Sequence, residues 1–134
     1  MPYANDAVRA VVWREDALEL LDQRLLPTVE RYRRLTSAAD VAQAIRDMVV
    51  RGAPAIGIAA AYGVVLAARA RYAVDAVRWR TAVGSDLATL VAARPTAVNL
   101  FWALRRMERT IARASEDPVA ALLAEARAIH EEDL

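Results

Sequence analysis

Two short segments combine residue types that suit an anionic ligand. Arg51-Gly52-Ala53-Pro54-Ala55-Ile56-Gly57 places an arginine and a small-residue loop directly before a helix start, because Pro54 fits the first turn of a helix. A helix start offers unpaired backbone N–H groups and a partial positive charge, and glycine lets an anion approach them. A guanidinium adds a planar fork of donors matched to phosphate oxygens. Arg94-Pro95-Thr96-Ala97-Val98-Asn99 repeats the arrangement, with Arg94 ahead of a second helix start that Thr96 is placed to cap. By spacing alone, each segment is better explained as a helix connection flanked by a solvated arginine, since neither follows a Walker or dinucleotide glycine pattern. The two make a phosphate site only if the fold brings them together.

Other candidates are weaker. Asp22-Gln23 ends a strand and could hydrogen-bond a ligand, though such a pair more often satisfies turn amides. Arg105, Arg106, Arg109 and Arg113, with Glu108 among them, read as a solvated helix face, because a net charge of +1 supplies no field for nucleic acid. Trp13, Trp79 and Trp102 are too scattered for stacking platforms and are expected in the core or at an interface. His130, the single histidine, reads as a helix-surface residue. There is no cysteine and no lysine, all 18 basic residues being arginine. Disulfides, thiolate ligands, a cysteine nucleophile and a Schiff-base or phosphate-loop lysine are thereby excluded from this chain. With one histidine, a zinc site or serine–histidine–aspartate triad is not expected either. No metal site or cofactor is expected within these 134 residues.

The elements that must position the two arginine segments follow from periodicity. The length suits one domain, and much of the 57% apolar content is alanine, which favours close-packed helices. Val8, Ala10 and Val12 alternate with Arg9, Val11 and Trp13; Leu18, Leu20 and Asp22 alternate with Glu19, Leu21 and Gln23. Separated by Arg14-Glu15-Asp16, these runs predict an antiparallel hairpin. Pro27 interrupts the pattern, and residues 30–35 predict a third, edge-like strand. From Ser37 the period becomes helical, with Val41, Ala44, Ile45, Met48 and Val49 on one apolar face. Further helices are predicted from Pro54 to about Ala70, Val74 to Ala93 with Gly84 as a weak point, and from near Ala97 with Leu100, Leu104, Met107 and Ile111 buried. A last one begins at Asp117-Pro118, with Val119, Leu122, Leu123 and Ala126 inward. The expected fold is α+β and mainly α: a small antiparallel β region over 1–36, then a bundle of about five helices over 37–134, together one domain.

The stretch between Arg51 and Arg69 carries no charge, a length close to the ~20 residues of a membrane span. Its glycines, Pro54 and many alanines instead predict a helix buried in a soluble bundle. An exposed apolar patch is expected along the alanine-rich helices, 54–70 among them. The start MPYANDAVRAVVW lacks a basic, then long apolar, signal pattern, so a cytoplasmic location is expected.

Arg51-Gly-Ala-Pro-Ala-Ile-Gly57, continuing through Ala59-Ala60-Ala61-Tyr62-Gly63, resembles the N-terminal part of methylthioribose-1-phosphate isomerases, a family shared with regulatory subunits of the translation-initiation exchange factor. Leu20-Leu-Asp-Gln-Arg-Leu-Leu-Pro27 before it and Arg94-Pro-Thr-Ala-Val-Asn-Leu100 after it resemble the same family in the same order. Three ordered motifs outweigh the bland reading of any one. The resemblance implies an aldose–ketose isomerisation in methionine salvage, from methylthioribose 1-phosphate to methylthioribulose 1-phosphate. It further implies that Arg51, Gly52, Ala53 and Arg94 bind the sugar phosphate. The family's catalytic cysteine and aspartate lie in a following Rossmann-like domain, which this sequence does not contain, so the chain alone is expected to be inactive and the complete enzyme a homodimer. Related readings are an isomerase of ribose 1,5-bisphosphate or 5-deoxyribose 1-phosphate, and a non-catalytic initiation-factor-like regulatory subunit. Neither nucleic acid nor membrane is an expected partner.

Overall fold

The computed structural model describes residues 9–114 and 116–133, so Val8 of the expected alternation and the terminal Leu134 lie outside the described residues. Three antiparallel strands, β1 (Val11–Arg14), β2 (Ala17–Leu21) and β3 (Tyr32–Leu35), form a sheet in that spatial order. Glu15 and Asp16, both at positive φ (52° and 60°), make the two-residue β1–β2 turn, as a tight primed hairpin turn requires. Val11 pairs with Leu20 and Trp13 with Leu18, which gathers these four side chains on the face turned to the helices. β3 is the expected edge strand, two residues shorter than the run that predicted it. Its Arg34 ties the hairpin by donating from Nη2 to the Glu15 carbonyl at 3.0 Å.

Five helices follow: α1 (Ala38–Arg46), α2 (Ala53–Val74), α3 (Trp79–Ala93), α4 (Val98–Arg113) and α5 (Pro118–Glu132). The α+β, mainly α architecture is therefore as expected. Ser37 Oγ accepts from the Asp40 amide and caps α1. At the other end, Val49 N–H reaches the Ala44 carbonyl and Met48 N–H reaches that of Ile45, the double bond of a Schellman stop. Met48 occupies its left-handed position (φ 64°) and is 45% exposed, so it does not continue the buried stripe on which periodicity placed it. Val49 does return to the core.

Every residue of α2 from Ala55 to Ala68 is buried. The helix is long and apolar enough to cross a membrane, but its apolar surface is covered by β1, β2 and the other four helices. The exposed apolar patch expected along it is accordingly absent there. Exposed apolar side chains instead gather at the start of α4, where Val98, Phe101 and Trp102 are 77%, 44% and 51% exposed. α2 also runs through Val74, where a third helix was expected to begin. Asp75 ends it: its Oδ1 accepts from the Val77 and Arg78 amides and turns the chain before α3 starts at Trp79.

Two further expectations are corrected by partners in space. Arg106 is no solvated residue; only 17% of its side chain is exposed. Its Nε donates to Glu125 and its Nη1 and Nη2 to the Glu132 carboxylate at 2.9 and 2.7 Å, pinning α4 to α5. His130 is half-buried and shares a 2.8 Å hydrogen bond between its Nδ1 and Tyr62 Oη. Tyr62 in turn stacks on Trp13, ring centroids 5.5 Å apart, so β1, α2 and α5 meet at one aromatic string.

Candidate functional site

The site is built where two helices begin. Gly52 precedes α2 with φ 91°, a conformation that costs glycine little and side-chain-bearing residues much. Pro54 occupies the first turn and supplies no N–H. No side chain caps α2, so the Ala53 and Ala55 amides keep their capacity to donate. α4 begins from Ala97, also without a side-chain cap; Thr96 lies one residue too early for the capping role expected of it. Ala97 N–H closes a tight turn on the Arg94 carbonyl at 3.0 Å, which holds Arg94 beside this second start. By contrast, α1 and α5 are capped by Ser37 and Asp117.

α3 too begins without a side-chain cap, at Arg78, but it is the starts of α2 and α4 that touch. A Cβ on Gly57, in the opening turns of α2, would stand 2.8 Å from the Asn99 carbonyl oxygen and 3.6 Å from Ala103 Cβ in α4. Glycine is required here for close approach, and that approach sets the opening turns of α2 and α4 side by side. A cavity of about 310 Å³ opens at this crossing, lined by Pro54, Gly57, Asn99, Trp102, Glu132 and neighbours. The segments 51–57 and 94–99 thus meet at their far ends, Gly57 and Asn99, while Arg51, Gly52, Ala53 and Arg94 are not among the residues lining the cavity. Arg51 is exposed and Arg94 half-exposed, and neither forms an ion pair with a carboxylate among the described residues. Arg24, Arg33, Arg34, Arg71 and Arg106 are all so paired.

Asp22 plays a different part from the ligand contact considered for it. It is fully buried, and its carboxylate accepts from Arg24 N, Nε and Nη2 and from Arg33 Nε, at 2.7 to 3.0 Å. The hydrogen bond from the Arg24 side chain is the main reason its carboxyl is held well below the usual carboxylate range, with Arg33 adding to it against the cost of burial. Asp22 anchors β2 to β3 and caps the short 3-10 turn Gln23–Leu25. Gln23 donates its backbone N–H to the Val49 carbonyl at 2.8 Å, fastening the sheet to the α1–α2 connection. No cluster of three or more metal-ligating side chains occurs among the described residues.

Trp102 is the residue that sequence reasoning missed. It lines the cavity at the crossing and also a second, more apolar groove of about 480 Å³ formed with Pro95, Thr96, Val98 and Phe101. Its position one turn into α4, next to the arginine segment, was the available signal.

A profile of the Initiation factor 2 subunit family matches residues 49–134. The methylthioribose-1-phosphate isomerase of Methylococcus capsulatus is 60% identical over 131 residues, covering 98% of this chain and 37% of that protein. That of Alkalilimnicola ehrlichii is 62% identical, covering 97% of this chain and 38% of its own. Among solved structures, 5-methylthioribose 1-phosphate isomerase from Pyrococcus horikoshii superposes with a TM-score of 0.83 at 36% identity, covering 92% of this chain and 36% of that one. Translation initiation factor eIF-2B subunit delta from A. fulgidus gives 0.85 at 33% identity, with the same coverage. The chain spans somewhat more than a third of the length of the curated relatives it matches. With more than half of its residues inside the family profile, the chain belongs to the Initiation factor 2 subunit family.

Proposed function

We propose that this chain is the substrate-binding N-terminal portion of a methylthioribose-1-phosphate isomerase, and that Arg51, Gly52, Ala53 and Arg94 hold the phosphate of the sugar. The observation that carries the reading is the contact between the uncapped starts of α2 and α4 at Gly57 and Asn99. On this reading the amides of both helix starts and the two arginines, which have no carboxylate partner among the described residues, act on one phosphate dianion. The high identity to named isomerases over almost the whole chain supports the substrate class.

The chemistry divides accordingly. A C1 phosphate ester blocks the simple ring opening open to a free sugar, so an acid–base pair must open the ring and move hydrogen between C1 and C2. This chain's part is to fix the phosphate and orient the sugar; the acid–base pair belongs to residues outside it. The working enzyme is a cytoplasmic homodimer. The fold shared with an initiation-factor subunit favours a second reading, a non-catalytic regulatory module.

Titration with methylthioribose 1-phosphate, followed through backbone amide signals, separates the two. Shifts centred on Gly52, Ala53 and Val98 that vanish in Arg51→Ala and Arg94→Ala are expected of the isomerase portion. An unresponsive pair of helix starts favours the regulatory module.

A further inference from the structure

The last turn of α5 lies against the crossing of α2 and α4, and it is acidic. Glu132 and Asp133 line the cavity there, together with Pro54 and Gly57 of α2 and Asn99 of α4. A carboxylate so placed suits a helix start, where unpaired amides and a partial positive charge attract an anion. Yet among the described residues no side chain caps α2 or α4. Glu132 is engaged elsewhere: Arg106 donates from Nη1 to its Oε1 at 2.9 Å and from Nη2 to its Oε2 at 2.7 Å, so both oxygens are taken. That hydrogen bonding also holds the Glu132 carboxyl below its ordinary value, which keeps it ionised in neutral solution. Arg106 is itself well fixed. Its Nε donates to Glu125, and its guanidinium lies over the Trp102 ring at 5.5 Å.

We propose that Arg106 is a positioning residue of the phosphate site: it withholds the Glu132 carboxylate from the starts of α2 and α4, so that their amides stay open to a phosphate. This rests on the phosphate reading above and adds to it how the protein keeps its own anion out of the site. A carboxylate and a phosphate compete for the same donors, and a glutamate tethered beside the crossing competes at high effective concentration. The fork of Arg106 removes that competitor. To leave it, Glu132 would exchange two hydrogen bonds between charged partners for bonds to neutral amides. A lysine would hold one oxygen and leave the other free, whereas the planar guanidinium holds both. Glu125 fixes the remaining edge of the fork and keeps it aimed at Glu132. Asp133, the other carboxylate on this wall, is common to every form compared below, so its charge cancels from the comparison.

The test sets the 134-residue chain beside Arg106→Gln, Glu132→Gln and the double variant. The Asn99 amide signal is read by NMR without ligand, and Kd for methylthioribose 1-phosphate is then measured by calorimetry. In Arg106→Gln the freed Glu132 should displace the Asn99 signal and weaken binding about three- to tenfold, the scale of one carboxylate at a helix start. Glu132→Gln alone should bind at least as tightly as wild type. The double variant, its competing charge gone, should return the Asn99 signal and bring Kd to within about twofold of wild type. A merely structural clamp would leave Glu132→Gln and the double variant as weak as Arg106→Gln, and that pattern overturns the proposal. So does an Arg106→Gln chain that binds like wild type, or one whose Asn99 signal stays in place. If Arg106→Gln does not fold, Arg106→Lys carries the same comparison, with a smaller loss that Glu132→Gln again restores. If the sugar phosphate leaves the wild-type Gly52 amide unmoved, the phosphate reading is lost, whereas the ligand-free Asn99 signal still decides whether Arg106 withholds Glu132.

Discussion

The α-carbon of Gly57 faces the carbonyl of Asn99 so closely that a methyl group would stand 2.8 Å from its oxygen. Backbone lies on the far side of that contact, so relief requires α2 and α4 to separate. Gly57→Ala should therefore cost about 1–3 kcal/mol, the range for overpacking a close-packed region. Gly84, in the exposed middle of α3, has nothing within 4 Å of its notional Cβ. Gly84→Ala should stabilise by about 0.5–1 kcal/mol through helix propensity and unfolded-chain entropy. Thermal melts of the two variants should move in opposite directions; a fall in both would show that α3 relies on the glycine.

Arg51→Ala and Arg94→Ala should weaken sugar-phosphate binding while leaving the melt almost unchanged. A charge-assisted hydrogen bond contributes roughly 1.5–3 kcal/mol, about ten- to a hundredfold in Kd. Neither side chain has a carboxylate partner to lose among the described residues. Arg51→Lys should recover only part of the affinity, since a point charge lacks the planar fork. If both arginines hold one phosphate, the double variant should lose less than the sum of the singles. Full additivity, measured by calorimetry, would assign them to separate ligands.

Asp22 makes the fold acid-sensitive. Its carboxyl titrates below the ordinary value of 3.8 in the folded chain, so the unfolded state takes up the proton first as pH falls. The stability it contributes is thus present above about pH 4 and is lost below it, as pH falls towards the folded value. Asp22→Asn should lower stability at pH 7 by about 1–3 kcal/mol, less than for a wholly buried ion pair because Arg24 and Arg33 remain about two-fifths exposed. The gap between wild type and variant should narrow as pH drops from 5 to 2. A gap independent of pH would mean that Asp22 acts through shape rather than charge.

Tyr62 provides the alkaline counterpart. Burial, ahead of the opposing influence of Arg127, pushes its hydroxyl up to about 12 from 10. The folded chain keeps the proton that the unfolded chain releases, so stability is full below pH 10 and is lost as pH rises through about 12. Tyr62→Phe removes that dependence and the hydrogen bond to His130 while preserving the stack on Trp13. It should cost about 1 kcal/mol at pH 7 and flatten the pH 10–12 limb of a stability profile. An unaltered limb would place the titrating group elsewhere.

Local signals were enough for much of the architecture. Ser37 and Asp117 specify where α1 and α5 begin because their oxygens bond amides two or three residues away. The burial of Leu100, Leu104, Met107 and Ile111 follows from helical period alone. The ordered motifs around Arg51 and Arg94 carried the family. What tertiary structure decided is everything that depends on residues distant in sequence. Met48 left the predicted stripe because a left-handed stop turned it outward, and Arg106 and His130 left the surface because Glu125, Glu132 and Tyr62 were waiting on other helices. The junction of the two arginine segments is of the same kind. Each segment encodes its own helix start within a few residues, but their meeting depends on Gly57 lying against Asn99, 42 positions away in sequence. No periodicity records that distance, because only packing of the whole chain sets it.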